Sequence, residues 1–375
     1  MVSVKGSITG IVFTLAFTSL TLCAALASDS REGWRQAADS WSWSFPADHG
    51  SHPVFQTEWW YFTGNVADVG GRRLGYQLTF FRTGLAVKAA SPENPWSIRD
   101  LYLAHFAITD AESKRFHWTE RASRSGPGLA GAREERLDVW VRDWAASTVN
   151  DSYILKARSG EMELDLTLIP RKPPVLHGRE GLSIKGPERG QASWYASITD
   201  LRTEGMIRLP GEDRMKVSGR SWFDHEFGSN QLAADQKGWD WFGLHLSDGT
   251  ELMIYEIRRT DGTVEPSSSG TLIAADGSWE HLSVEDIRLE VTGTWKSPES
   301  GGTYPSGWNI RIPRKNLEIR VMPGIPDQEL LTRTTAGITY WEGAVSLEGR
   351  SAGNRVTGAG YVELTGYAGS LGNIF

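Results

Sequence analysis

The sequence predicts an all-β protein made of two antiparallel, barrel-like modules. Three observations carry that expectation. Apolar and small or polar residues alternate at period two in run after run, as Leu74, Tyr76, Leu78 and Phe80 do with Gly75, Gln77 and Thr79. That spacing places every second side chain on one face of a strand. Beyond residue 30 no segment keeps an apolar stripe at helical spacing for three turns, and the best helix candidate, residues 283–289, is short. The chain also holds 41 glycines and 17 tryptophans in 375 residues, which suits short aromatic strands joined by tight turns.

Composition narrows the class further. With 39% hydrophobic residues the chain can fill real cores, which excludes global disorder. Lys and Arg number 39 against 46 Asp and Glu, a net charge of −7. Phosphate neutralisation needs a basic surplus, so nucleic acid is not an expected partner.

The first element is a leader. Lys5 precedes an apolar stretch over residues 8–26, and Ala25-Leu26-Ala27 supplies the small-x-small pattern read by signal peptidase. Residues 1–27 are therefore read as a cleaved signal peptide of a periplasmic or secreted protein. A membrane anchor of near-spanning length and lipid attachment at Cys23 are the competing readings, although Leu22 stands where a lipoprotein signal has a small residue. Cleavage removes Cys23, the single cysteine, and with it any disulfide, thiol nucleophile or thiolate metal site.

The strands follow in order. Residues 57–66 and 74–81, joined at Gly70-Gly71, read as a hairpin. Residues 101–108, 137–141, 153–157, 162–169, 193–199 and 215–222 alternate in the same way. A second hairpin, residues 239–246 and 252–258 around Ser247-Asp248-Gly249, resembles the first: paired tryptophans, a strand, a glycine turn, a strand and a closing arginine (Arg82, Arg258). The pattern suggests a duplicated module, with an N-terminal domain over 28–225 and a C-terminal one over 226–375, each long enough for a closed antiparallel sheet. Two motif matches fall away. Residues 126–131 have dinucleotide-loop spacing without the strand and helix it needs, and residues 349–353 have nucleophile-elbow spacing at a hairpin turn.

Three constellations could carry chemistry. Asp48, His49 and Glu58 cluster around the first tryptophan pair, where a carboxylate beside an imidazole would raise its pKa and make it a proton carrier. Asp224-His225-Glu226 ends an apolar strand. In extended chain Asp224 and Glu226 share one face, while His225 shares the other with Phe223 and Phe227. In the second hairpin, Glu256 beside Tyr255 interrupts an apolar run, and Trp239, Trp241 and Phe242 lie close by. Indole faces steady positive charge. A cavity walled by them and holding a raised-pKa acid suits protonation of an electron-rich carbon–carbon double bond.

Phe45-Pro46-x-Asp48-His49-Gly50-x-His52-Pro53, running into Thr57-Glu58-Trp59-Trp60-Tyr61-Phe62-Thr63-Gly64, resembles the signature of the AttH-like, carotenoid 1,2-hydratase-related family, whose members are often labelled secreted hydrolases. Residues 126–132 and 222–227, with Gly238-Trp239-Asp240-Trp241, are similar to it as well. The resemblance implies two tandem lipocalin-like antiparallel β-barrel domains with an apolar ligand site at or between them. In the hydratase branch water adds across a terminal isoprenoid double bond without cofactor, through a tertiary carbocation; similar fungal members shape polyene cyclisation. By position, Asp224-His225-x-Phe227 stands where the hydratase has Asp-His-x-Trp, and Tyr255-Glu256 where an acid beside tyrosine is expected. Phe227 for Trp and Glu256 for Asp depart from that pattern and weigh against carotenoid itself.

The leading expectation is thus an exported enzyme without cofactor or metal, acting by hydration or related lyase, isomerase or hydrolase chemistry on an apolar isoprenoid or lipid-like molecule in a barrel cavity. Asp224 or Glu256 would be the general acid and His225 the water-orienting base. Tyr255, Trp239 and Trp241, with Phe227, Trp59, Trp60 and Tyr61, would form the substrate wall. Asp48, His49 and Glu58 are a second candidate group. A non-catalytic carrier of hydrophobic ligands, associated with the envelope membrane, is the alternative; a glycan-binding module using exposed tryptophans ranks below both.

Overall fold

The computed structural model describes residues 33–88, 94, 96–230 and 232–371. The expected signal peptide and Cys23 lie outside these residues. Strands dominate, and among the described residues only three short 3-10 turns occur, Ala47–His49, Val284–Asp286 and Pro313–Lys315. Residues 283–289, the best helix candidate, instead form the second of these turns, closed by reciprocal hydrogen bonds between Ser283 and Asp286, followed by the strand Arg288–Val291. One turn satisfies the two polar ends locally and leaves no apolar stripe to extend.

Thirteen antiparallel strands between Thr57 and Asn230 make the first sheet. Its middle is the hairpin Thr57–Asp68 and Arg73–Gly84, with Met215–Asn230 paired to the other side of Thr57–Asp68. The outermost strands, Arg115–Arg124 and Ala130–Ala132, come back beside each other, so the sheet is a nearly closed barrel. Its interior is packed with Trp60, Phe62, Tyr76, Leu78, Trp144 and Phe223. Ten strands between Gln236 and Leu364 make the second sheet, centred on Gln236–Leu246 flanked by Glu251–Arg259 and Asn354–Leu364, around Phe242, Leu244, Ile254 and Trp308. The all-β, two-sheet architecture expected from periodicity is the one the chain adopts. The division expected between residues 225 and 226 falls inside Met215–Asn230, a strand that belongs whole to the first sheet.

From Trp34 onward the sheets pack as one unit. Where they meet, the outward faces of both are apolar: Tyr61, Tyr195 and Trp222 of the first meet Trp241, Met253 and Tyr255 of the second in a core of their own. This explains why residues 57–66 read as nearly continuous hydrophobics, since that strand is buried on both faces. At one point the sheets approach so closely that a Cβ on Gly75 would stand 2.3 Å from the Cβ of Ala344. Lys172 and Arg220 of the first sheet's half grip the buried Glu251 of the second at 2.6 and 2.8 Å. The N-terminal segment lays Trp41, Trp43 and Phe55 against Trp194 and Phe227, closing one end of the first barrel.

Candidate active site between the sheets

Period-two alternation along residues 222–227 sends neighbouring polar side chains into two separate clusters. His225 points into the first barrel, where its ring stacks on Trp60 at 5.1 Å. Its Nδ1 bonds the Asp48 carbonyl at 2.9 Å and its Nε2 bonds Glu58 at 3.0 Å. Glu58 also bonds His52 Nδ1 at 2.9 Å and accepts from Arg82 Nε at 3.0 Å, while His52 Nε2 reaches Asp48 at 3.0 Å and Arg82 reaches Asp100 at 3.1 Å. Burial resists ionisation of Glu58, but the bonds from His225 and His52 and the Arg82 guanidinium outweigh it and hold the carboxyl well below its ordinary range. Burial likewise opposes charge on His52, and its two carboxylate partners prevail and raise it. Every carboxylate in this cluster touches a cation. Nδ1 of His52, Nε2 of His225 and a Glu58 oxygen lie within 4.8 Å of one another, a donor set of the type that holds divalent metals. Both nitrogens already bond Glu58, however, and Arg82 occupies its other oxygen, so the set is satisfied from within the protein.

Asp224 and Glu226 point the opposite way, into an open-mouthed cavity of about 90 Å³ between the sheets. Tryptophans and tyrosines from both sheets wall it, chiefly Trp59, Tyr61 and Tyr195 from the first and Trp239, Trp241 and Tyr255 from the second. Asp224 accepts hydrogen bonds from Ser197, from the Trp222 indole and from Tyr195 at 2.6 Å, and Tyr195 in turn accepts one from Trp241 Nε1 at 3.0 Å. Burial pushes Asp224 up to about 7; its hydrogen bonds counteract part of that rise and Glu226 adds to it. Glu226 accepts from Ser193 and pairs with Lys185 Nζ at 3.1 Å. That ammonium lies 4.1 Å from the Tyr255 ring centre. Burial works to discharge Lys185, but Glu226 and Tyr255 hold its pKa above the ordinary value.

A third cavity carboxyl comes from the second sheet. Glu363, on Asn354–Leu364, lies opposite Trp241 on one neighbouring strand and Glu342 on the other. It is partly open to the cavity and accepts from Trp239 Nε1 at 3.0 Å. Burial raises it to about 7, against the Trp239 bond and with help from Asp224 and Glu226. Behind it Glu342 accepts from Tyr61 at 2.5 Å. Burial and the neighbouring Glu363 raise Glu342 well above its usual value, against the Tyr61 hydrogen bond.

The sequence-predicted residues divide accordingly. Asp224, Tyr255, Trp239, Trp241, Trp59 and Tyr61 meet in the cavity. His225 and Trp60 are turned into the first barrel, and Phe227 stacks on His52 at 3.6 Å at the barrel's plugged end, because odd and even positions of an extended strand cannot share a face. Glu256 faces the second barrel's interior side beside Asp240; burial and that neighbour raise it to about 7, yet it lines no part of the cavity. Asp48 and Glu58 do share an imidazole, but it belongs to His52. The 3-10 turn Ala47–His49 aims His49 elsewhere, against Phe45 and Phe223, where burial lowers it to about 3. The cavity itself lies between the two sheets and not inside either barrel. Glu363, Lys185 and Tyr195 escaped the sequence reading. Glu363 did leave a signal, a lone acid in the apolar run Tyr361-Val362-Glu363-Leu364, of the same kind that marked Glu256.

The sequence profile of the AttH-like family matches residues 36–367. The chain belongs to the AttH-like family. A crystal structure from Nitrosomonas europaea assigned as AttH is 34% identical to it, with a TM-score of 0.79 over 89% of this chain and 99% of that one. The crystal structure of kievitone hydratase from Nectria haematococca shares the fold of this AttH-like protein at 17% identity, with a TM-score of 0.66 over 90% of this chain and 97% of that one. In sequence, the kievitone hydratase of Fusarium solani subsp. phaseoli is 22% identical over 240 residues, covering 62% of this AttH-like chain and 66% of that protein. The match thus spans about two thirds of that relative's length.

Proposed function

We propose that this AttH-like protein is an exported, cofactor-free hydratase that adds water across an electron-rich double bond of an apolar, isoprenoid or lipid-like molecule held between its sheets. One observation carries the reading: two carboxyls poised near neutrality, Glu363 and Asp224, face an indole-walled chamber from opposite sides. Such a pKa keeps a proton available at neutral pH and still lets it leave. The family resemblance to a hydratase by name supports the same class.

Glu363, the carboxyl with an open face, gives its proton to the less substituted carbon of the double bond. The π pair forms the new C–H bond and leaves a carbocation on the adjacent carbon, against the faces of Trp59, Trp239 and Trp241. Water bonds to that carbon through oxygen, and its surplus proton passes to a cavity carboxylate, so the sum is alkene plus water giving alcohol. Asp224 fixes the Tyr195 hydroxyl at the cavity wall, and the Lys185–Glu226 pair supplies the polar end at which water can be held.

Incubation with terminal isoprenoid alkenes in oxygen-18 water tests the reading, with labelled alcohol as the expected product. Glu363→Gln should lower the rate by ~10²–10⁴, the usual worth of a general acid. A specific feature favours the alternative, an envelope carrier without chemistry: all the hydrogen bonds to Asp224 come from protein donors, as for a structural carboxylate. Recovery of a bound apolar molecule that returns unlabelled from wild type would decide for the carrier.

A further inference from the structure

We infer that the inter-sheet cavity takes an organic cation, a protonated amine or quaternary ammonium joined to an apolar body. The inference rests on the reading of this cavity as an apolar ligand chamber and adds the charge of what occupies it. Three carboxyls line the space, Asp224, Glu226 and Glu363, against one cation, Lys185. Lys185 is already committed to Glu226 at 3.1 Å, so the remaining two carboxyls face the chamber without a counter-charge.

The neutral polar groups lean in the same direction. Gln77 lines the cavity fully buried, and its amide nitrogen is spent on Thr79 at 2.6 Å while its carbonyl oxygen has no partner. A neutral hydrocarbon would leave the carbonyl unsatisfied and the carboxyls unbalanced, each at a cost. A protonated amine would relieve both, donating to the carbonyl and balancing the carboxyls, whereas a quaternary ammonium would balance the charge alone. Trp59, Trp239 and Trp241 line the same space, and aromatic cages rimmed by carboxylates bind alkylated ammonium through the ring quadrupole. The chamber is also arranged like the complement of a carbocation, so a stable ammonium should act as a competitive inhibitor of the hydration proposed above.

The test compares benzyltrimethylammonium with neopentylbenzene, the neutral molecule in which carbon replaces the charged nitrogen, by titration calorimetry and tryptophan fluorescence at pH 8. The expected result is at least tenfold tighter binding of the cation to wild type. Glu363→Gln should remove most of that preference and leave affinity for the neutral compound unchanged. This variant keeps an acceptor for Trp239 Nε1, and a melting temperature no lower than wild type verifies its fold. Lys185→Met, a second variant, should strengthen cation binding. Equal affinity of wild type for the two compounds overturns the inference and leaves the apolar chamber standing. Binding of neither compound overturns the chamber, and with it the proposed function.

Discussion

Two polar clusters flank a single stretch of backbone, residues 222–227, and they differ in kind. On the inward side Glu58, His52, His225, Asp48 and Arg82 form a closed circuit in which acids meet cations within about the length of a hydrogen bond. On the outward side Asp224, Glu226 and Glu363 share one lysine and face open space. The inward cluster has the denser set of imidazoles and carries much of the family signature, yet it opens on no cavity. The outward cluster has no imidazole from the expected triplet, and burial raises two of its acids, Asp224 and Glu363. Ionisable groups in a saturated network hold a fold together, whereas those left short of partners beside a void are available to a ligand.

The largest effect should come from breaking the circuit. Glu58→Ala leaves Arg82 and His52 buried without their shared carboxylate, and loss of one partner of a buried pair costs ~3–5 kcal/mol. Urea unfolding should show that loss; a midpoint within error of wild type would erase the distinction between the clusters. Glu363→Gln should do the reverse, with melting temperature at pH 8 at or above wild type and chemistry impaired.

The pH dependence sharpens the contrast further, because the two clusters have opposite signs. Asp224 and Glu363 hold protons to about 7 when folded and release them near 3.8 and 4.5 when unfolded. The native state therefore binds more protons in that window, and these acids cost stability progressively as pH rises through it. Glu58 and Asp48 are depressed in the folded protein, so their stabilisation is present above the unfolded values and is lost as pH falls through the folded ones. Asp224→Asn should flatten the alkaline limb of a stability–pH curve, and Glu58→Gln the acid limb. A turnover profile should fall above pH about 7 as Glu363 deprotonates. The smallest effect belongs to Glu256→Gln. It removes a raised-pKa acid that does not line the inter-sheet cavity, and should change turnover by less than about twofold, the scale of a ~0.5 kcal/mol effect.

Much of this was legible in the chain because strands alternate rigidly. The same rule that predicted the hairpins also separated Asp224 and Glu226 from His225, so a role for His225 beside Asp224 conflicted with the periodicity that located them both. Trp59 and Tyr61, like Trp239 and Trp241, alternate out of their own barrels into a shared wall, and the similarity of the two hairpins reflects that shared position. What stayed hidden depends on contacts between distant segments. Glu363 reaches the site only because Asn354–Leu364 pairs with Gln236–Leu246, and Lys185 lies in a loop with no periodicity to mark it. His52 displaced His49 because a single 3-10 turn redirected the side chains around it, below the resolution of any pattern in composition.

The bare backbone at Gly75 acts as a spacer set to zero. With the Cβ of Ala344 directly above it, each carbon added there must push the sheets apart. Alanine, then serine or valine, would work as wedges of graded thickness, prising the chamber wider without touching any acid in it. On the proposed function, the width of molecule the chamber admits would then respond to a residue that does not line it.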